Sequence, residues 1–368
     1  ENAQLWSPDT PYLYTAEVTL YNQDGKDFRG GPSYYMEKAL GKRWMGVLFS
    51  VLLIICFAYG FNGLQSYNMS SALEYYIPGY SESSYPMIVG LILAVGTGLI
   101  IFGGVHRIGF ITSVMVPIMA GAYLLMGLFT IVTHLPQLPG IFAMILSEAF
   151  DFQAIFGGMA GSAVVIGIKR GLFSNEAGMG SAPNAAASAS VSHPAKQGMV
   201  QVISVFIDTL LICSATAMML LLSGVQGEAG VLDGIPFVQK AISANVGTWG
   251  IHFITASIFA FAFSSLIGNY YYAESNILFI KNNKVLLFVF RCTCLLAVFL
   301  GAQADFSLVW NLADITMGCM AIVNIIAILL LGNIALKVLK DYETQKKAGK
   351  NPVFKAENVG IKNTDCWK

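Results

Sequence analysis

The feature that most constrains the fold of this chain is a series of long apolar segments with few charges between them. Charged residues make up 11% of the 368 residues and hydrophobic residues 55%, whereas soluble domains carry roughly 25% charged residues. A run of roughly 20 apolar residues is enough to span a bilayer as a helix. The composition therefore predicts an all-α protein of the lipid bilayer. The balanced charge gives no argument for a nucleic-acid partner.

Length and apolarity predict about eight membrane-spanning helices. The longest exceed what a span needs, so we expect them to tilt or to continue past the bilayer. Residues 134–157, between the third and fourth spans, predict either a short amphipathic helix on the outer surface or a covering loop. The predicted spans are residues 44–73, 86–104, 111–133, 156–190, 198–223, 248–280, 285–301 and 307–339.

The basic residues lie almost entirely in the loops on one side of these spans. By the positive-inside rule, both ends of the hydrophobic region then face the cytoplasm, and an even number of spans agrees with this. We expect a multi-pass protein of the cytoplasmic membrane, with residues 341–368 as a polar cytoplasmic tail. The residues that set this orientation are Lys38, Lys42, Arg43, His106, Arg107, Lys196, Lys281, Lys284, Lys337, Lys340, Lys346 and Lys347.

The fourth predicted span is interrupted by polar and flexible residues. From Lys169 to Ala187 it reads KRGLFSNEAGMGSAPNAAA. A lipid-facing helix disfavours this composition, because a cation at the centre of a membrane helix costs about 2.5–3.5 kcal/mol. A helix that unwinds at membrane depth offers free carbonyls to a cation and free amides to a carboxylate. The alternative is a loop that merely packs between helices.

The same stretch resembles the signature of the alanine or glycine:cation symporter family, the sodium:alanine symporters. The resemblance extends to GGPSYYMEKALGKRW at residues 30–44, FIDTLLIC at 206–213, FAFSSLIGNYYYAE at 261–274 and VWNLADITMGCMAIVN at 309–324. It implies a partial leucine-transporter-type fold of inverted repeats with one discontinuous helix, in which residues 29–340 form the transmembrane domain. It also implies that the chain is amino-terminally truncated and lacks a second broken helix.

The function implied by the resemblance is sodium-coupled symport of alanine, glycine or a similar small neutral amino acid by alternating access. Na⁺ is then the coupling ion, and we expect no other metal, no cofactor and no enzymatic activity. Zincin, P-loop and nucleophile-elbow motifs do not occur in the sequence. A transport-incompetent membrane fragment is the alternative, because one broken helix would be missing.

The resemblance assigns the substrate site to a few residues. Gln65 matches a substrate-contacting glutamine, whose amide can accept from an ammonium and donate to a carboxylate; a helix–helix hydrogen bond is the alternative. Phe173 would wall the pocket, and Ser174 and Asn175 would belong to the unwound segment. Asn269 stands where many members carry tryptophan, which implies a roomier or more polar pocket.

Further residues are assigned to the cation and to the helix break. Ser264 and Ser265 match the hydroxyls that bind sodium in the family, with small-residue packing between helices as the alternative. The residues expected to shape the break are Gly171, Glu176, Gly178, Gly180 and Pro183.

Two carboxylates, Asp208 and Asp314, lie within apolar spans. An ionisable group at such a depth is often functional. We favour the simpler interpretation, in which each pairs inside the protein with a polar group or with a cation such as Arg170.

Residues 1–28 have a different pattern. They alternate aromatic or β-branched residues with polar ones, which predicts a water-soluble strand. The run LWSPDTPYLY resembles a strand of the immunoglobulin-like domain of family-two glycoside hydrolases, the β-galactosidase group. We expect this segment to be a fusion or assembly artefact. A glycoside hydrolase fragment is a further alternative, against which the lack of a catalytic domain argues.

Overall fold

The computed structural model describes residues 29–103, 106–149, 159–227 and 232–361, and nearly all of them are helical. This confirms the predicted all-α class. The segment 1–28, with its predicted strand, lies outside the described residues. In chain order the helices are α1 (Pro32–Lys38), α2 (Arg43–Ser71), α3 (Tyr85–Gly103), α4 (His106–Thr133), α5 (Leu138–Ala149), α6 (Met159–Asn175), α7 (Ala182–Ala186), α8 (Pro194–Leu221), α9 (Gly234–Val246), α10 (Trp249–Ile280), α11 (Lys284–Gly301) and α12 (Phe306–Lys347).

Seven helices in the described part of the chain are long and apolar enough to cross a membrane. They are α2, α3, α4, α8, α10, α11 and α12, and their ends lie close to those of seven predicted spans. The remaining predicted span, residues 156–190, appears as α6 and α7 with a non-helical link between them. The structure thus has the predicted discontinuous helix at the predicted place.

Two short helices lie between the spans. Helix α5 falls within residues 134–157, so the described part of this connection, residues 134–149, contains a short helix, the first of the two predicted alternatives. Helix α9 was not predicted, because thirteen residues with a central glutamine and lysine carry no spanning signal. Its Gln239 is buried and donates 2.9 Å to the carbonyl of Ala72 and 2.8 Å to the hydroxyl of Thr255. Helix α9 therefore ties the ends of α2 and α10 together.

The last helix continues through the predicted start of the polar tail at residue 341. Beyond it the chain folds back: the amide of Phe354 donates 2.9 Å to the carbonyl of Ser192, and the Phe354 ring is buried. His193, at the start of α8, is buried beside this ring, and its Nε2 lies 3.2 Å from Asp341 Oδ2. Residues after α12 are therefore packed against the α7–α8 connection.

Helix α2 is the centre of the fold and runs antiparallel to α10. Ser50 donates 3.0 Å to Asn276 Oδ1 near one end of the pair. Towards the other end, Met69 shares a buried cluster with Leu266. Residue numbers rise along α2 while those of its partners fall along α10, which fixes the relative direction of the two helices.

Helix α2 runs parallel to α11, with an unchanging register. Ser66 donates 2.6 Å to the carbonyl of Val298, and Ser70 donates 2.8 Å to the carbonyl of Ala302, so both contacts join residues 232 positions apart. Serine hydroxyls that bond to a neighbouring helix allow backbones to approach closely in a membrane. The two helices therefore meet along a straight seam.

Two glycines face each other in this seam. A Cβ placed on Gly301 would lie 2.5 Å from the carbonyl oxygen of Gly63 and 2.8 Å from its carbonyl carbon. These are backbone atoms and cannot swing aside. The seam consequently has no room for a methyl group at Gly301.

We predict that Gly301→Ala lowers the free energy of unfolding by about 1–3 kcal/mol, the usual cost of overpacking. Gly96→Ala is the matched control, because Gly96 lies on α3, which also packs on α11, but faces open space. Alanine there should stabilise the helix by about 0.5–1 kcal/mol. Thermal unfolding of both variants in detergent measures the difference. Equal midpoints would contradict the close seam.

Candidate functional site

The break between α6 and α7 is produced by backbone conformations that end a right-handed helix. Helix α6 ends at Asn175, and Glu176, Gly178 and Gly180 then have φ angles of 53°, 85° and 99°. Glycine adopts positive φ without steric penalty. Glu176 is the one non-glycine residue with positive φ in the described part of the chain, a strained conformation for a side chain of this kind. The local sequence therefore places the break at Asn175.

The turn at the break releases carbonyl groups from the helical ladder. The amide of Ala177 donates to the Asn175 side-chain oxygen at 3.0 Å. The amide of Met179 donates to the carbonyl of Glu176 at 3.2 Å. Both amides would have continued the helix, so the carbonyls of Phe173 and Asn175 lose their usual donors four residues on. The end of α6 thus presents carbonyl oxygens that have no donor among the described residues, and oxygen atoms are the ligands that hard cations prefer.

The link after the break is held by α1, α2 and α12. Asn324 donates 2.8 Å to the carbonyl of Gly178 and accepts a short hydrogen bond from the Tyr35 hydroxyl. A Cβ on Gly180 would lie 2.8 Å from the Phe49 ring and 2.9 Å from Asn324 and Pro32. Gly180 is therefore required by close contact as well as by its φ angle.

The carboxylate of Glu176 bonds within the link itself. It accepts a short hydrogen bond from the Ser181 hydroxyl. This contact joins the two ends of the non-helical segment, so Glu176 holds the turn.

Helix α7 is anchored by a group of buried amides and hydroxyls. Pro183 lies in its first turn, and the next residue, Asn184, accepts 3.1 Å from Asn276 of α10. Asn276 in turn accepts 3.0 Å hydrogen bonds from both Ser33 and Ser50. Four segments, α1, α2, α7 and α10, thus converge on one carboxamide.

The end of α6 also faces a stretch of π-helix in α8, residues 207–213. Ser174 donates 2.8 Å to Asp208 Oδ2 and lies 3.1 Å from Cys213 Sγ. Asn175 donates 3.1 Å to Thr209 Oγ1. Asp208 therefore pairs with a hydroxyl, as interpreted from the sequence. Single π-turns inside helices are frequent at functional sites. The sequence pattern did not predict this one.

Phe173 is enclosed by aromatic rings. Its centroid lies 4.8 Å from Phe61, in a second π-helical stretch (residues 54–61 of α2), and 5.2 Å from Trp310 of α12. The Arg170 guanidinium lies 4.2 Å from the centre of the Trp310 ring. Sequence reasoning missed Phe61 and Trp310, although Trp310 belongs to a segment that carried the family resemblance.

Asp314 pairs with two neighbouring cations. Its Oδ2 lies 2.5 Å from Arg170 Nη2 and 3.4 Å from Lys169 Nζ. The expected pairing of Asp314 with Arg170 is therefore confirmed.

Gln65 and Asn269 lie on facing helices at similar depth. Met69 and Leu266 share a cluster, and one turn further along the antiparallel pair places Gln65 opposite the level of Asn269. Asn269 is 6% exposed, and its Nδ2 has no partner among the described residues. No hydrogen bond of the Gln65 side chain occurs there either. Both side chains therefore keep unused hydrogen-bonding capacity.

The remaining assigned residues differ in their surroundings. Ser264 donates 2.7 Å to the carbonyl of Phe261 in its own helix, whereas the half-buried Ser265 makes no hydrogen bond within the described part of the chain. No hydrogen bond joins either serine to residues 173–175 there. Gly171 lies inside α6 and faces open space, so the structure places it before the break and not in it.

Known proteins match almost the whole chain. Residues 15–356 match the sodium:alanine symporter family. The chain is 46% identical to the amino-acid carrier protein AlsT of Bacillus subtilis, over 97% of this chain and 76% of that protein. It is 46% identical to the probable sodium/glutamine symporter GlnT of the same organism, over 94% and 71%. It is 34% identical to the sodium/alanine symporter AgcS of Methanococcus maripaludis, over 85% and 68%.

The family match begins at residue 15, inside the segment 1–28 that the sequence analysis set apart. It includes the second half of that segment and begins directly after the run LWSPDTPYLY, residues 5–14, which resembles a glycoside hydrolase strand. The comparisons give that resemblance no support.

We predict that Gly180→Ala lowers the free energy of unfolding by about 1–3 kcal/mol, because it adds a side chain at positive φ against three neighbours. Gly171→Ala is the control within the same interrupted span, and its open surroundings and helical backbone should make it neutral or slightly stabilising. Titration with SDS in mixed micelles measures both. A Gly180→Ala protein as stable as the control would show that the break does not need this glycine.

Proposed function

The chain belongs to the sodium:alanine symporter family, and from this premise we propose that it carries a small neutral amino acid across the cytoplasmic membrane together with Na⁺. Transport would proceed by alternating access around a site at the α6–α7 break. The observation that carries the proposal is the pair of carbonyls, of Phe173 and Asn175, released where α6 ends.

The end of α6 suits a positively charged group. A helix carries a partial negative charge at its carboxyl end, and the released carbonyls add oxygen ligands there. The Asp208 carboxylate accepts a hydrogen bond from Ser174 and so adds negative charge beside this end of the helix. We assign this end of the site to the substrate ammonium, with Ser174 and Asn175 holding the geometry.

The unused polar groups suit the rest of an amino acid. A buried polar group without a partner costs about 1–3 kcal/mol, so a substrate that satisfies it gains that amount on binding. Gln65 can donate to a carboxylate, and Asn269 can bond to a polar side chain. Phe173, fixed between two rings, forms the apolar wall.

We assign the sodium ion to the hydroxyls of Ser264 and Ser265. Ser264 donates its proton to the carbonyl of Phe261, which leaves its oxygen lone pairs available to a cation, and Ser265 makes no hydrogen bond within the described part of the chain. A hydroxyl oxygen is a suitable hard ligand, and ordering of the break by Na⁺ would raise the affinity for the amino acid.

The relatives carry different substrates in their names, alanine for one and glutamine for another. Asn269 in place of a bulky aromatic residue leaves volume and a hydrogen-bond donor at the pocket. We therefore propose that the substrate range extends beyond alanine to amino acids with a small amide side chain.

The full chain reconstituted in proteoliposomes should take up alanine or glutamine in a Na⁺-dependent manner. Ser265→Ala should lower uptake at limiting Na⁺ by roughly tenfold, a loss of about 1.4 kcal/mol. Phe173→Ala should lower uptake at limiting amino acid, because it removes the pocket wall. Ser147→Ala, on the exposed surface of α5, is the control and should leave uptake unchanged.

Unchanged uptake in a Ser265→Ala, Phe173→Ala double variant would contradict the site assignment. Absence of Na⁺-dependent uptake by the unaltered chain would instead favour the alternative of a transport-incompetent fragment. Radiolabelled substrate and a Na⁺ titration distinguish these outcomes.

The Asn269→Trp variant should narrow the substrate range. The added indole fills space that an amide side chain needs, so the ratio of alanine to glutamine uptake should rise by roughly tenfold. Asn333→Trp, at an exposed position of α12, is the matched control. An unchanged ratio in Asn269→Trp would show that Asn269 does not line the pocket.

A further inference from the structure

We propose that the ion pair between Arg170 and Asp314 is the closing contact of the substrate site, with Arg170 as the positioning residue that holds Phe173 in place. The proposal rests on the function assigned to that site above. It assigns a role to two residues that belong neither to the substrate pocket nor to the sodium site.

Arg170 reaches three partners at once. Its Nη2 lies 2.5 Å from Asp314 Oδ2, and its guanidinium lies over the ring of Trp310 at 4.2 Å from the centroid. The guanidinium is also 5.7 Å from the ring of Phe173, one helical turn along α6. Cations at these distances from aromatic faces are attracted to them. Arg170 is therefore fixed in direction and shields one side of Phe173.

These side chains bridge α6 and α12. The Phe173 and Trp310 rings complete the bridge with centroids 5.2 Å apart. Helix α6 ends at Asn175, two residues after Phe173. The contacts with α12 therefore fix the position of the released carbonyls of α6 relative to α12. Breaking the ion pair would free the last turns of α6 to move away from Trp310.

The ion pair of Arg170 and Asp314 leaves some hydrogen-bonding groups without partners when the two side chains are in contact, as they are in this structure. Arg170 Nη1, Asp314 Oδ1 and Trp310 Nε1 are buried and have no hydrogen-bond partner among the described residues. The side chains of Arg170 and Asp314 are 34% and 12% exposed. A partly buried ion pair whose buried atoms lack hydrogen bonds contributes little net stability, and water can satisfy these atoms once the helices part. The closed and open forms are then close in free energy, as a contact that forms and breaks during transport requires.

A second ion pair in the same molecule shows the contrast. Arg291 of α11 donates 3.0 Å to Glu274 of α10 and also 2.8 Å to the Tyr270 hydroxyl. None of the described polar atoms left without a partner belongs to these residues. The Arg291 and Glu274 side chains are similarly exposed, at 23% and 14%, and leave no buried polar atom unpaired among the described residues, so we assign them a purely structural role.

The test compares Asp314→Asn with a charge exchange that combines Arg170→Asp and Asp314→Arg, and with Glu274→Gln as the structural control. Each full-length variant is reconstituted in proteoliposomes, and KM and maximal rate are measured for alanine at saturating Na⁺. Alkylation of Cys213 is followed in parallel by mass spectrometry, without substrate. Cys213 is suitable because its Sγ lies 3.1 Å from Ser174 at the end of α6.

We expect Asp314→Asn to raise KM by roughly tenfold, since affinity falls with the fraction of protein in the closed form. It should also speed the alkylation of Cys213 several-fold. The charge exchange should restore both quantities towards wild type. Glu274→Gln should lower thermal stability without the change in Cys213 alkylation.

Three outcomes would overturn the proposal. One is wild-type alkylation of Cys213 in Asp314→Asn. Another is a charge exchange that stays as impaired as the single variant, which would indicate that Arg170 binds the substrate carboxylate directly. The third is an equal increase of Cys213 alkylation in Glu274→Gln, which would show a general loss of packing. The alkylation comparison needs no substrate. It therefore tests whether the ion pair holds the end of α6 in place even if the unaltered chain fails to transport.

Discussion

Backbone groups within a bilayer need hydrogen-bond partners, and the rest of this structure follows from how the chain meets that demand at the α6–α7 break. Elsewhere the helical ladder provides the partners. At the break, carboxamide side chains take over: Asn175 accepts from the amide of Ala177, Asn324 donates to the carbonyl of Gly178, and Asn184 donates to the carbonyl of Gly180. Each asparagine replaces a backbone partner, while the carbonyls of Phe173 and Asn175 keep no donor within the described part of the chain. The asparagines thus stabilise the break while two carbonyl oxygens stay available to a ligand.

The same residue type connects the break to the surrounding helices. Asn276 of α10 accepts hydrogen bonds from α1 and α2 and donates one to α7, and Asn324 of α12 accepts one from Tyr35 of α1. Amides can donate and accept at once, so a few of them satisfy several segments. Ion pairs are fewer than amide contacts among the described residues around the break. The ion pair of Arg170 and Asp314 lies about one turn before the end of α6. This division suits a site whose own polarity is reserved for a bound solute.

The sequence predicted the spans well, because the length and apolarity of a membrane helix follow directly from the thickness of the bilayer. It also placed the break, since the glycines at 178 and 180 and the proline at 183 leave few alternatives. The π-helical stretches around Phe61 and Asp208 could not be predicted, because an extra residue in a turn depends on packing against neighbouring helices and has no characteristic composition. Trp310 and the unequal surroundings of Ser264 and Ser265 depend likewise on neighbours that are distant in sequence.

The seam between α2 and α11 has a mechanical consequence. Helices that touch glycine to glycine, with serines bonded in a fixed register, cannot slide past each other by a fraction of a turn without collision. The two helices therefore form one closely packed unit, and α10 is joined to this unit by the hydrogen bond between Ser50 and Asn276. The end of α6, by contrast, is joined to α8 and α12 through side-chain contacts, so in the proposed transport cycle it is the element that can shift while α2 and α11 stay together.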